Sequence, residues 1–116
     1  MKPAPPEAEP GLAAMLGRWY GVYDNGREVL FVVEEVGKDR ARAVYAFGPL
    51  ARRPEDRAGY TRRRGEFETS TGTLRFTEPH AANDLECRLD GDGRLLINWI
   101  SRQSGVRLAT RLRKVE

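Results

Sequence analysis

The chain holds one cysteine, Cys87, and one histidine, His80. A single cysteine excludes an intramolecular disulfide, and one of each excludes a zinc site built only from those residues. Nothing in the sequence approaches the roughly 18 consecutive apolar residues of a membrane span. The G-x-S-x-G turn of serine hydrolases is absent, and so is a phosphate-binding loop. A nucleophile–base pair would have to join Cys87 to His80. Cys87 alternates with Leu85 and Leu89, the pattern of an inert buried thiol. Glu66 and Glu68 share one face of a strand, as acid–base work would require, but that face reads as the wet side of the strand. Lysine is scarce too: Lys2, Lys38 and Lys114 are the only lysines among 20 basic residues. No metal or cofactor is implied.

What remains is a chain of 116 residues, 40% hydrophobic, with a formal charge of +3. That length suits one domain of ordinary size. The densest basic segment contains Arg52, Arg53, Arg57, Arg62, Arg63 and Arg64, diluted by Glu55 and Asp56. A nucleic-acid surface would interleave such charges with aromatics, and only Tyr60 lies nearby. The segment therefore reads as a solvated loop followed by an exposed strand face, with no nucleic-acid partner. Residues 1–10 (MKPAPPEAEP) are proline-rich and have no large apolar side chain after Met1. They are expected to form a disordered or polyproline-like tail. They also lack the apolar region of a signal peptide. This fits a cytoplasmic protein, or an exported one whose leader has been removed.

Residues 11–116 form the expected domain. Pro10 suits the first position of a short helical turn over 11–16, with Leu12, Met15 and Leu16 on one face. So short a helix is unstable alone and must dock on something apolar. Eight strand-like segments follow, over 18–23, 28–36, 41–47, 59–69, 73–77, 84–89, 94–101 and 106–115. Turn signals separate them, among them Asn25-Gly26, a strong hairpin signal because both residues tolerate positive φ. Short strands with regular turns mark an all-β barrel or sandwich. The short connections imply an antiparallel up-and-down path, and closure into a barrel removes exposed edges.

Strand side chains alternate between faces. The apolar pattern turns inward Trp19, Gly21 and Tyr23; Phe31 and Val33; Ala43, Tyr45 and Phe47; Phe67; Leu74 and Phe76; Leu85, Cys87 and Leu89; Leu95, Ile97 and Trp99. An eight-stranded barrel either fills its interior with side chains or holds one small ligand. Tyr20, Tyr23, Tyr45, Asn98 and an inward arginine are candidate polar anchors among this apolar lining. The last strand offers two facings. Apolar logic sends Leu108 and Leu112 inward. An inward Arg111 would instead need a partner such as a ligand carboxylate, and would leave the leucines outside as a dimer interface. A bulge would reconcile the two.

Gly17-Arg18-Trp19 on the first strand, just after a helical turn, resembles the opening of the calycin barrels: lipocalins, fatty-acid-binding proteins and avidins. The stretch GRWYGVYDNG with LFVVEEV and ARAVYAFG is similar to a family of small bacterial calycin-like domains. The resemblance implies a closed barrel whose tryptophan seals the floor and is crossed by an arginine of the last strand, here Arg111. The likeness to avidin ends after the first hairpin, without counterparts of the later biotin-contacting residues. Gly17-Arg18-Trp19-Tyr20-Gly21 is similar to the opening of nitrobindin-like haem barrels. Their iron-ligating histidine lies near the C-terminal end, whereas His80 follows Pro79 in a loop, so haem is not implied. The expected function is non-enzymatic binding of a small apolar or anionic ligand by Trp19, Tyr23, Phe31, Tyr45, Phe47, Phe67, Asn98, Trp99 and Arg111. The alternative is a structural or interaction module with a packed interior.

Overall fold

Alternation of apolar and polar side chains runs through nearly every strand of the computed structural model, which describes residues 1–50, 53 and 55–115. Arg52 of the basic segment and Pro54 of its loop lie outside the described residues. A short helix, α1 (Pro10–Ala13), precedes β1 (Gly17–Val22), β2 (Glu28–Val36), β3 (Arg40–Phe47), β4 (Gly59–Glu68), β5 (Thr73–Phe76), β6 (Asn83–Leu89), β7 (Leu95–Ser101) and β8 (Arg107–Val115). Each strand pairs antiparallel with the next, and β8 returns to β1, closing an eight-stranded up-and-down barrel. Among the described residues no helix is long and apolar enough to cross a membrane.

The hairpin after β1 follows the Asn-Gly signal, by a different route from the one expected. Gly26 alone takes a positive φ, 85°. Asn25 keeps a negative φ and uses its side chain, accepting the Arg27 backbone N–H at 2.9 Å. The aspartate-like capping ability of asparagine thus stabilises the turn without a left-handed residue before glycine.

One end, here called the floor, carries α1 and the turns after β2, β4 and β6. Leu12 and Met15 dock there and are almost fully buried. The Trp19 indole N–H donates to the Met15 carbonyl at 2.9 Å, tying the plug to the helical turn. Gly17 has φ 137°, and a Cβ there would lie 2.9 Å from Lys114 Cε. That backbone is strained for any side chain, which explains the glycine two residues before the tryptophan. Residues 1–10 run past this end: Ala4 and Ala8 pack on the core, and the Glu9 N–H donates to the Lys38 carbonyl at 3.2 Å.

The inward set is the one the alternation gives. Phe31, Val33, Leu74, Phe76, Leu85, Leu95 and Ile97 have no exposed surface. Phe31 meets Phe76 edge-on, with ring centroids 5.6 Å apart, a preferred aromatic geometry. The last strand obeys apolar logic. Leu112 is fully buried, and Leu108 pairs with the inward Trp99. Leu108 and Leu112 therefore form no outward stripe, the arrangement that an inward Arg111 would have produced.

β5 is the shortest strand, and it pairs with only the last three residues of β4, Glu66 to Glu68. Among the described residues the upper half of β4 therefore pairs with no strand on that side. The wall opens between β4 and β6 at the end opposite the floor, and the loop after β5 lies across the opening.

Candidate functional site

The upper end of the barrel is where its polar groups meet its interior. Tyr23, just past β1, and Tyr45 on β3 are 2% and 3% exposed. Their hydroxyls are 2.8 Å apart. Two hydroxyls carry two protons, and this contact uses one of them. The second has no acceptor among the described residues. Burial raises both phenols, Tyr45 to about 12, although Arg27 and Arg63 draw it down. Both therefore stay protonated as hydrogen-bond donors.

Phe47 continues the inward row of β3. Its ring centroid lies 5.9 Å from that of Tyr45. Gly59 sits opposite, where a Cβ would be 3.0 Å from Phe47 Cζ, so the glycine makes room for the ring. The Arg27 guanidinium lies over the other side of this cluster, 5.2 Å from the Phe47 centroid. Its side chain is only 16% exposed, and among the described residues its one ion pair is a 4.0 Å contact with Asp56. Trp99 and Leu108 are half-buried at the same end. The result is an apolar rim with hydroxyl and guanidinium donors beneath it.

Arg63 braces the open wall. It sits on the inner face of β4 and is 4% exposed, contrary to the exposed strand face expected for the basic segment. Its Nε donates to Glu78 Oε2 and its Nη2 to Glu78 Oε1, both at 3.0 Å. Nη1 reaches Asn83 Oδ1 at 2.8 Å and Nη2 the Asn83 carbonyl at 2.9 Å. One guanidinium thus links β4, the β5–β6 loop and the start of β6. Burial alone would raise the Glu78 carboxyl. The bonds from Arg63 and from the Arg64 backbone N–H outweigh that and hold it below the ordinary carboxylate range. Arg102 straps the same loop from outside, bonding Asp84 at 2.6 Å and the Ala81 carbonyl at 2.8 Å.

The nine residues expected to contact a ligand separate into three groups. Tyr23, Tyr45, Phe47 and Trp99 gather at the upper end. Phe31 fills the middle, while Trp19 and Phe67 seal the floor, where Phe67 Cζ lies 3.2 Å from the Cβ position of Gly11. Asn98 and Arg111 are corrections. Asn98 pairs with Glu86 and Ala109 on the outer face. Arg111 is also outside, bonded to Asp90 Oδ2 at 2.6 Å. Keeping a charge inside without a fixed partner costs more than this exposed pairing. The last-strand cation that meets Trp19 is Lys114, directly opposite it in register, with Nζ 5.4 Å from the ring. Tyr20 is no interior anchor either, since it donates to Glu28 on the outer face at 2.6 Å. Cys87 is 1% exposed and burial pushes its thiol up, whereas His80 is exposed.

Sequence reasoning passed over Arg63, Arg27 and Glu78. The parity of β4 does signal Arg63, because Phe67, Gly65 and Arg63 are successive inward positions. Arg27 lies in a turn, where parity has no meaning.

The fold is thus a closed antiparallel barrel sealed at the floor and braced around an aromatic, donor-lined upper end. No protein-family model matches the chain, and no curated protein matches it by sequence.

Proposed function

We propose that this chain is a calycin-like barrel that binds a small, partly apolar ligand at its upper end and acts as a binding protein rather than an enzyme. The observation that carries the reading is the buried Tyr23–Tyr45 pair. The two hydroxyls bond each other, and among the described residues their second proton has no other acceptor beside the little-exposed Arg27. A ligand carbonyl or carboxylate would accept the hydroxyl proton that the pair does not use between its own members. Phe47, Trp99 and Leu108 give the apolar contact that small-molecule sites require around a few oriented polar groups. The filled middle and floor confine the ligand to this end.

Trp19 and Trp99 are the only tryptophans, and they mark opposite ends. In a Trp19→Phe variant all indole fluorescence comes from Trp99. Titration with cis-parinaric acid, a carboxylate with a fluorescent apolar chain, is expected to quench Trp99 saturably. Adding Tyr23→Phe and Tyr45→Phe together is expected to weaken that binding about tenfold, the equivalent of one lost hydrogen bond of about 1.4 kcal/mol. A panel of apolar acids, esters and amides that leaves Trp99 unchanged would overturn the reading.

A further inference from the structure

The outer face of β3, β4 and β5 carries a groove of about 500 Å³ that shares Glu78 with the braced wall but holds none of the upper-end ligand contacts. Its walls hold Arg40, Arg42, Arg64 and Arg75 against Glu35, Glu66 and Glu78. Two of those carboxylates are already engaged from outside the groove. Lys2 reaches Glu35 at 3.1 Å, and Arg63 holds Glu78 at 3.0 Å. Glu66 lies in register between Arg40 and Arg75, and Arg75 also pairs with Glu86 at 3.1 Å. Among the described residues Arg40, Arg42 and Arg64 make no ion pair, and of these only Arg42 and Arg64 stand opposite each other.

These two are direct cross-strand partners on β3 and β4. Directly opposed residues lie about 5 Å apart at Cα and project to the same side, and like charges so placed repel. Both are exposed, and among the described residues neither makes an ion pair. On its other side Arg42 stands opposite Glu35 of β2, whose carboxylate is drawn to Lys2 at 3.1 Å, whereas Arg40 faces Glu66 and Arg75 faces Glu86. Two long arginine side chains on one side of adjacent strands have the reach to bring paired N–H donors to one centre, an arrangement suited to a tetrahedral dianion. The groove's volume falls within the range of small-molecule sites.

We infer that the β3–β5 groove binds a phosphate dianion, held between Arg42 and Arg64, with room beside it for the organic part of a phosphate monoester. The anion offsets the cross-strand repulsion between the two arginines. The full chain would be titrated calorimetrically with inorganic phosphate and with phenyl phosphate, at constant ionic strength set with sodium chloride. Tighter binding of phenyl phosphate would assign the groove to an ester, and equal binding to free phosphate; both support the site. Arg42→Gln and Arg64→Gln are each expected to weaken phosphate binding at least tenfold. Each is also expected to melt above the native chain in phosphate-free buffer, because the opposed charges are gone. A merely solvated surface arginine would show neither change. No phosphate heat beyond the chloride control, or undiminished binding by the doubly substituted chain, would overturn the inference.

Discussion

Arg63 is the residue on which the open wall depends, because one buried guanidinium bonds two other segments of the chain. Removing one partner of a buried pair leaves the other charge uncompensated, at about 3–5 kcal/mol. Glu78→Gln is therefore expected to lower unfolding free energy by an amount near the lower figure, since glutamine keeps one acceptor. Urea denaturation at neutral pH measures it. The same carboxyl sets an acid dependence. Its folded pKa lies below the ordinary value of 4.5, so the unfolded chain takes up the proton first as pH falls. The stabilisation is complete above the ordinary value and disappears as pH drops through the folded one. Stability measured from pH 6 down to pH 3 should fall less steeply in Glu78→Gln than in the native chain. Parity makes Arg63 legible as an inward residue. Its charge argues the other way, and the sequence does not say that Glu78, fifteen residues on, arrives to neutralise it.

At the scale of the strand, β4 and β5 show how a short element makes room for function. Gly65 faces inward where the Phe76 ring crosses the strand. A Cβ there would lie 2.7 Å from Phe76 Cε2 and 2.9 Å from the Arg75 carbonyl oxygen. Backbone cannot retreat as a flexible side chain can. Gly65→Val is expected to cost about 1–3 kcal/mol through overpacking, read as a lowered denaturation midpoint with an unchanged slope. Strand existence and most facings were legible from period-two patterning, whereas β8 offered two facings, and buried apolar area, at roughly 25 cal/mol per Å², turns its leucines inward. The resemblance misplaced the charged residue of that strand by three positions, naming Arg111 where Lys114 meets Trp19. Alternation places both residues on faces, but only the β1–β8 register decides which one stands opposite the indole.

For the whole molecule, closure rests on the short β1–β8 ladder and on the plug beneath it. Trp19 is 2% exposed and links the barrel floor to Met15. Trp19→Ala is expected to cost about 3–5 kcal/mol, as truncation of large buried aromatics does. Trp19→Phe retains most of the ring volume and costs less, which keeps it usable as a fluorescence background. Thermal unfolding by circular dichroism compares the two.

By itself the sequence determined an all-β chain of eight short antiparallel strands, their turns and most of their apolar inward faces, because pleating and apolar burial act on neighbours in the chain. Tertiary structure decided which polar groups share a place. Tyr23 with Tyr45, Arg63 with Glu78 and Arg42 with Arg64 are joined only by strand register and loop closure, and the electrostatics of each pair depend on distances that local pattern does not specify.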